Sequence, residues 1–137
     1  GGFMARKVGA LLSSPTVAVR SAELTDDAAA LGRTIGRFGG AVEGLLRTHQ
    51  EAVLEKQYLL GRVADAATEL YACGCVLNRL DDALRDEHAD ERRRKRDLKV
   101  GRYYLRTARR RIAAWLDALH DNDDAATTEI ADLALEG

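Results

Sequence analysis

Apolar residues recur at alternating steps of three and four along most of this chain, and a single proline interrupts it. That spacing places side chains on one face of an α-helix, whereas a strand alternates every second residue. The pattern is repeated over three long segments and one short one. The sequence therefore predicts an all-α fold, an up-down bundle of three long antiparallel helices with a short C-terminal helix and an extended N-terminal lead-in.

Each long helix has its own apolar seam. The first seam consists of Leu24, Ala28, Leu31, Ile35, Phe38, Val42 and Leu45. The second consists of Leu60, Val63, Ala67, Leu70, Gly74, Leu77 and Leu84, widened at its edge by Leu59, Ala66, Cys73 and Leu80. The third consists of Leu98, Gly101, Leu105, Ala108, Ile112, Trp115 and Leu119. Because the second helix is apolar around much of its circumference, it is predicted to be the most buried.

Capping residues predict where the helices begin. Thr25 is expected to cap the first helix, because two acids follow it in the first turn. The second helix is expected to begin between His49 and Leu54 and to end near residue 84, and the third to span residues 91–119. A last helix, capped within residues 122–124, is predicted to contain Ile130, Leu133 and Leu135.

A single domain is expected for 137 residues. Residues 1–22 are predicted to be a linker or lead-in, and residues 23–137 the helical bundle domain. Within the lead-in, Gly1-Gly2 is interpreted as an expression-vector remnant or as the mark of an excised domain, and Val17 and Val19 alternate as in a docking segment. No run approaches 18 apolar residues, so no membrane-spanning helix is predicted.

Charge is strongly sorted along a chain whose net charge is only −1. Residues 91–111 contain eleven Lys or Arg and two acids, whereas residues 112–137 contain seven acids and no Lys or Arg. The third helix therefore has a basic stripe beside and opposite its apolar seam. The residues of this stripe are Lys95, Lys99, Arg102, Tyr103, Arg106 and Arg109.

Three kinds of partner fit the basic stripe. It can pair with the acidic C-terminal segment or with acids of another domain. It can also bind an anionic membrane surface, where each basic residue contributes about 1 kcal/mol. Nucleic acid is the least supported partner, because the chain has no helix-turn-helix or zinc-finger motif and no excess of positive charge.

Polar residues on the second helix raise the question of a catalytic site. Arg62, Asp65 and Glu69 are either a carboxylate pair poised by an arginine for acid–base chemistry or a structural ion-pair network between helices. The structural interpretation is favoured, because no nucleophile lies at a spacing that completes a site. Tyr71 is predicted to be a hydrogen-bonded tyrosine of the core.

The cysteines and the C-terminal acids do not predict a metal site. Cys73 and Cys75 point roughly 200° apart on a helix and are expected to be small buried thiols. Residues 121–124, Asp-Asn-Asp-Asp, do not begin an EF-hand, because Ala125 occupies the third ligand position and Ala126 the glycine position. No catalytic, cofactor-binding or metal-binding residue is therefore predicted.

Residues 55–79 have the sequence EKQYLLGRVADAATELYACGCVLNR. This stretch resembles the C-terminal helical domain of very-long-chain-type acyl-CoA dehydrogenases, with the pattern E-[KN]-Q-[FY]-x-L-x-R-[LV]-A-D-x-A-x-[DE]-L-Y-A followed by V-L-S-R. Asn78 stands where the pattern has Ser, and residues 73–75 are a local variation. The preceding LGRTIGRFG at residues 31–39 also resembles the family, so the resemblance covers residues 28–119. The matching residues are Glu55, Lys56, Gln57, Tyr58, Leu60, Arg62, Val63, Ala64, Asp65, Ala67, Glu69, Leu70, Tyr71, Ala72, Val76, Leu77 and Arg79.

The resemblance implies a non-catalytic domain of a larger flavoprotein. In that family the FAD site, the acyl-CoA pocket and the catalytic carboxylate lie in a main body that precedes the matched region. FAD and the dehydrogenation of long-chain acyl-CoA in fatty acid oxidation are therefore expected of a parent enzyme only. The appended domain is expected to serve dimerisation, packing against the body, and membrane or partner docking.

The resemblance also bears on location and leaves an alternative. A bacterial parent is expected in the cytoplasm or at the membrane periphery, and a eukaryotic parent in the mitochondrial matrix or at the inner membrane. The alternative function is a stand-alone helical adaptor, which binds an anionic membrane surface or an acidic protein through the basic third helix.

Overall fold

The computed structural model describes residues 15–137, and all of its regular structure is helical. No strand occurs within these residues, so the all-α prediction is confirmed. Short 3₁₀ helices lie at Ala22–Leu24 and Gln50–Glu55. The four α-helices are α1, Thr25–His49; α2, Gln57–Leu84; α3, Glu91–Asp117; and α4, Asp124–Glu136.

Helices α2 and α3 run antiparallel and form the most extensively packed pair. Leu80, near the end of α2, meets Gly101 in the first half of α3. Glu69, about three turns earlier on α2, pairs with Arg111, about three turns later on α3. The connection through residues 85–90 is short, as in antiparallel neighbours of helical bundles.

Helix α1 runs parallel to α3 and therefore antiparallel to α2. Asp27, in the first turn of α1, pairs with Arg102 at an N–O distance of 3.1 Å. Arg37, about three turns later, pairs with Asp117 at the end of α3. The three long helices thus have the up-down order that the sequence predicts.

The seam of α3 forms the centre of the core, as its spacing predicts. Leu105, Ala108 and Ile112 are at most 2% exposed, and Trp115 packs against them from a partly buried position. Leu116, which lies outside the predicted seam, is buried as well. Each buried Leu or Ile side chain contributes about 1.5–3 kcal/mol through its removal from water.

The buried stripe of α2 is shifted in part by one position along the sequence relative to the predicted seam. Leu59, Ala66, Cys73 and Leu80, predicted only at the edge of the seam, are at most 6% exposed, whereas Ala67 is exposed. The prediction was wrong for Ala67, whereas the seam residues Leu77, Val63, Leu70 and Leu84 are buried or pack against the core. The apolar residues of α2 come in adjacent pairs. Periodicity cannot choose between the members of such a pair, and the position of the neighbouring helices does.

Two further burial predictions on α2 were wrong. The side chain of Tyr71 is 77% exposed and is not part of the core. Cys75 is exposed as well, whereas Cys73 is fully buried, and both cysteines are free thiols. Positions 71 and 75 lie one turn apart and therefore share a face, which is turned away from the core.

The helix ends differ from the predictions in two places. Thr25 lies inside the helical segment, where its hydroxyl donates to the carbonyl oxygen of Ala22 at 2.9 Å, and it does not cap a helix N–H. The 3₁₀ helix Gln50–Glu55 delays the start of α2 beyond the predicted range. Helix α3 has a side-chain cap, because Asp90 accepts the backbone N–H of Arg93 at 2.7 Å.

Gly101 permits the close approach of α2 and α3. A Cβ atom at this position would lie 2.4 Å from Cδ1 of Leu80 and 2.9 Å from its Cγ. Leu80 is itself buried, so a larger residue at position 101 would force it out of its packing position. Gly74 on α2 differs, because a Cβ atom there would meet open space.

The lead-in lies against the bundle from residue 15 onwards. Val17 and Val19 pack against the core from partly buried positions, as their alternation predicts. The backbone of Pro15 approaches α1 so closely that a Cβ atom at Gly32 would lie 2.4 Å from the Pro15 carbonyl oxygen. The boundary between linker and domain at residues 22 and 23 stays a prediction, as does everything proposed for residues 1–14, which lie outside the described residues.

Candidate interaction surfaces

Asp81 holds the lead-in against the end of α2. It is 7% exposed; its Oδ2 accepts the backbone N–H of Arg20 at 2.9 Å and its Oδ1 accepts that of Ser21 at 2.8 Å. These hydrogen bonds, that from Arg20 first, lower the pKa of Asp81 below its ordinary value. We call these three residues the lead-in clamp. Its only trace in the sequence is a polar residue that interrupts an apolar seam.

Arg62 joins α2 to α4. Its Nη1 and Nη2 donate to Oδ2 and Oδ1 of Asp124, each at 2.6 Å, which is the two-pronged geometry that guanidinium and carboxylate groups favour. The Arg62 guanidinium lowers the pKa of Asp124. Asp124 is the first residue of α4, so this ion pair fixes the start of that helix against α2.

Glu69 joins α2 to α3. Its carboxylate accepts the Nε–H of Arg111 at 3.0 Å and a second N–H from the same guanidinium, and the hydroxyl of Tyr104 donates to it at 3.5 Å. The guanidinium carbon of Arg111 lies 5.9 Å from the ring centroid of Tyr104. Burial, reinforced by the Glu69 carboxylate, raises the pKa of Tyr104. The three side chains form one compact link between the two helices.

Asp65, the third member of the predicted polar network, lies apart from the other two. It is exposed and forms no ion pair within residues 15–137. Arg62 and Glu69 each bind a different neighbouring helix. The three residues therefore form two separate interhelical links and one free carboxylate, and this geometry does not suit acid–base chemistry at a shared site.

Cys73 is the thiol closest to this region, and its environment does not activate it. It lies one turn after Glu69 and is fully buried. Burial, with a smaller contribution from Glu69, raises the pKa of Cys73 to about 11. The group is therefore a protonated thiol at neutral pH, whereas a nucleophilic cysteine needs a lowered pKa.

The predicted basic stripe of α3 divides into two parts. Arg102 turns towards α1, where it pairs with Asp27 and donates to the carbonyl oxygen of Glu23. Lys95 pairs with an acid one turn earlier on α3 at 3.9 Å, and Arg109 is half-buried. Within the described residues, no member of the stripe pairs with the acids of residues 117–136. The members that are exposed and form no ion pair within the described residues are Lys99, Tyr103 and Arg106.

These three residues belong to a larger exposed surface, which we call the α3 outer face. Positions 92, 96, 99, 103, 106 and 110 recur at steps of three and four, on the side opposite the buried seam. Val100, beside them, is 64% exposed, and the guanidinium carbon of Arg106 lies 5.8 Å from the ring centroid of Tyr103. The face thus combines five positive charges with an uncovered apolar strip. Its residues are Arg92, Arg96, Lys99, Tyr103, Arg106 and Arg110.

An open cleft of about 470 Å³ lies at the far end of the bundle from the α2–α3 turn, between the starts of α2 and α4. Leu59 and Leu119 line it, Tyr58 at its edge is 48% exposed, and neighbouring Leu54 is 70% exposed. Among the described residues, its lining contains no hydrogen-bonded pair of nucleophile and base. We call the surface formed by Leu54, Tyr58, Leu59 and Leu119 the cleft end. It is an uncovered apolar surface without catalytic geometry.

Helix α4 lies outside the core. Beyond its first residue every position is exposed, including Ile130 at 65% and Leu133 at 55%. The prediction that a short helix contains these residues is confirmed, but nothing in residues 15–137 covers them. The helix contains no Lys or Arg, and its remaining acids are Glu129, Asp132 and Glu136.

None of the described helices is long and apolar enough to cross a membrane. Residues 15–137 also contain no group of His, Cys, Asp and Glu suited to holding a metal ion. The fold and its polar contacts define an all-helical bundle domain in which charged side chains serve to link helices.

The comparison with known families identifies which bundle domain this is. The family model described as "ACAD9/ACADV, C-terminal domain" matches residues 22–136. The chain belongs to this family. The resemblance found in residues 55–79 is thereby confirmed.

Curated relatives agree with the family match. The human protein named "Very long-chain specific acyl-CoA dehydrogenase, mitochondrial" is 38% identical over 56 residues. The proteins of the same name from Bos taurus and Macaca fascicularis are each 36% identical over 56 residues. The matched segment is 41% of this chain and 8% of each relative, so the chain corresponds to a small part of those enzymes.

Proposed function

We propose that this chain is the non-catalytic C-terminal helical domain of an FAD-dependent acyl-CoA dehydrogenase that acts on long-chain fatty acyl thioesters. In this proposal the domain packs against the dehydrogenase body and takes part in a homo-oligomer. FAD, the acyl-CoA pocket and the catalytic carboxylate reside in the body, and this chain binds none of them.

The use of the family pattern in α2 supports this proposal. Two charged residues of the pattern, Arg62 and Glu69, link helices of the bundle. Tyr58, also part of the pattern, is half-exposed at the cleft end, where the bundle does not need it for packing. Exposed apolar surface with a polar rim is typical of protein interfaces, so the cleft end is the surface we assign to the dehydrogenase body.

The chain alone tests the non-catalytic part of the proposal. Purified protein is expected to be colourless and to oxidise no long-chain acyl-CoA, because the residues that line its cleft include no hydrogen-bonded pair of nucleophile and base. The reading frame upstream of Met4 is expected to encode a dehydrogenase body. A yellow protein with acyl-CoA dehydrogenase turnover would overturn the assignment.

Binding to the separately expressed dehydrogenase body tests the packing role. Leu54→Asp and Tyr58→Ala, both at the cleft end, are expected to weaken binding by about tenfold or more, as at a central interface position. Tyr71→Ala is the matched control, because it removes a more exposed tyrosine from the same helix far from the cleft. Equal binding of all three variants would contradict the packing role.

The α3 outer face supports a second candidate function, an adaptor that binds an anionic membrane surface. Its five cations lie together on one side of a helix, which suits a layer of lipid headgroups. Such a protein would be peripheral to the bacterial membrane or to the mitochondrial inner membrane. Co-sedimentation with phosphatidylserine vesicles tests it, and vesicle binding that is unchanged in Lys99→Glu/Arg106→Glu would exclude it.

A further inference from the structure

Helix α4 has an acidic strip beside an apolar one. Glu129, Asp132 and Glu136 fall within about 60° of one another around the helix axis. Ile130 and Leu133 lie one turn apart on the adjacent side, and both are more than half exposed. Because the helix contains no Lys or Arg, its exposed surface carries no positive charge.

The α3 outer face has the complementary arrangement. Its cations flank the exposed rings and methyl groups of Tyr103 and Val100. Lys99, Arg106 and Arg110 form no ion pair within the described residues. A strip of positive charge beside an apolar strip is therefore available for a negative, apolar partner.

These two surfaces do not meet within one chain. The first residue of α4, Asp124, pairs with Arg62 on the α2 side of the bundle. Beyond this ion pair, α4 packs extensively against none of α1–α3. The α3 outer face is turned away from the core. A contact between the two surfaces therefore requires two molecules.

We propose that α4 of one copy lies along the α3 outer face of a second copy, and that the contact is reciprocal in a two-fold symmetric dimer. This rests on the homo-oligomer of the proposed function and names the surfaces that form it. Glu129, Asp132 and Glu136 pair with the cations of the partner copy, and Ile130 and Leu133 cover its apolar strip.

The dimensions of the two surfaces allow this contact. Thirteen residues of α4 extend about 20 Å, whereas the outer face from Arg92 to Arg110 extends about 27 Å. One α4 therefore fits along the outer face with all three acids over it. Two-fold symmetry forms the contact twice and closes the assembly, so that no open chain of copies grows.

Sedimentation velocity of the purified chain tests the dimer and its electrostatic character. We expect a dimer at low ionic strength, with a dissociation constant that rises by at least about tenfold between 0.05 M and 0.5 M NaCl, because exposed charge pairs are screened by salt. A monomer at every protein concentration would overturn the proposal. A dimer whose stability is independent of salt would also overturn it.

Charge reversal on each surface gives the sharper test. Lys99→Glu/Arg106→Glu places two negative charges in the middle of the outer face, and Glu129→Lys/Asp132→Lys places two positive charges on α4. Each variant alone sets like charges against each other at both contacts and is expected to be monomeric. In an equimolar mixture both contacts again join opposite charges, so the heterodimer is expected to return.

Matched controls separate this pairing from general charge effects. Glu51→Lys/Glu87→Lys changes the net charge as the α4 variant does, at exposed positions outside both surfaces, and is expected to leave the dimer intact. Circular dichroism confirms that each variant is folded. Failure of the mixed variants to associate would overturn the pairing, and sedimentation of the monomer with phosphatidylserine vesicles would assign the outer face to an anionic surface instead.

This test is independent of the dehydrogenase body. If the chain stays monomeric but binds the body through the cleft end, the homotypic contact is refuted and the packing role stands. If the chain dimerises but does not bind the body, the packing role is refuted and the homotypic contact stands.

Discussion

The α2–α3 pair and helix α4 are both amphipathic, yet their apolar residues differ in exposure to solvent. Between α2 and α3 the apolar faces cover each other, and Leu105 and Ile112 are almost inaccessible to water. On α4, Ile130 and Leu133 remain more than half exposed. The same helical periodicity therefore produces a core in one region and an open surface in the other. What differs is whether the chain itself supplies a partner.

Truncation of one isoleucine in each region should give the largest contrast. Ile112→Ala is expected to lower the free energy of unfolding by about 2–5 kcal/mol, because it opens a cavity in a fully buried position. Ile130→Ala should change it by less than about 0.5 kcal/mol in the monomer, since the residue is exposed. Urea denaturation monitored by circular dichroism measures both. Similar losses in the two variants would mean that α4 is packed in solution.

Two glycine substitutions test how closely α2 and α3 pack. Gly101→Ala is expected to destabilise the chain by about 1–3 kcal/mol, because its Cβ would overlap the buried Leu80 side chain. Gly74→Ala, the matched control, should stabilise it by up to about 1 kcal/mol, since its Cβ meets open space and alanine favours a helix. Thermal unfolding measures the sign of each change. A stabilising Gly101→Ala would contradict the close contact.

The lead-in clamp should respond to acid. Because the folded-state pKa of Asp81 is lowered below its unfolded value of about 3.9, its contribution is fully present above that pH. The contribution is lost as the pH falls through the folded-state pKa. The amide NMR signals of Arg20 and Ser21 are therefore expected to titrate only below about pH 4.

Two variants check this account of the clamp. In Asp81→Asn the acid titration of both amide signals should disappear. At neutral pH, trypsin should cleave after Arg20 faster in Asp81→Ala than in the parent chain, whereas Asp82→Ala, at the exposed neighbouring position, should leave the rate unchanged. Equal cleavage of the two alanine variants would show that the clamp does not hold the lead-in.

The smallest effect on stability is expected from the exposed cysteine. Ellman's reagent should label Cys75 rapidly and Cys73 only when the chain unfolds, because Cys73 is buried and burial raises its pKa to about 11. Cys75→Ser should remove the rapid phase and change the free energy of unfolding by less than about 0.5 kcal/mol. Rapid labelling of both thiols would mean that the α2–α3 interface opens readily.

Periodicity predicted the buried residues of α3 almost completely, whereas the buried stripe that it predicted for α2 is shifted in part by one position along the sequence. On α3, Leu98, Leu105 and Ala108 have charged or hydroxyl-bearing neighbours on both sides, so the spacing there has one solution. The adjacent residues Trp115 and Leu116 offer two, and Leu116 was missed. On α2 the pairs Leu59-Leu60 and Ala66-Ala67 offer two solutions, and the packing of the other helices decides between them. The helical fold and the family were thus predictable from sequence, whereas the burial of individual α2 residues was not.

The interaction surfaces were less predictable than the fold. The apolar pattern of α4 identifies the helix, but a pattern does not state which molecule covers the apolar side. Charge sorting along the sequence indicated a basic third helix. However, Arg102 of the predicted stripe forms an ion pair with α1, whereas Arg92 and Arg110, which are not in that stripe, lie on the α3 outer face. Which cations stay free depends on neighbours that are distant in sequence.

The lead-in clamp also has a mechanical consequence. Two hydrogen bonds to Asp81 and the close approach of Pro15 to Gly32 attach the lead-in to both α2 and α1. A pull on the chain at Pro15 is therefore shared between α1, through the contact at Gly32, and α2, through the carboxylate of Asp81. We therefore expect the lead-in to move with the bundle as one body, from a point ten residues before the first long helix.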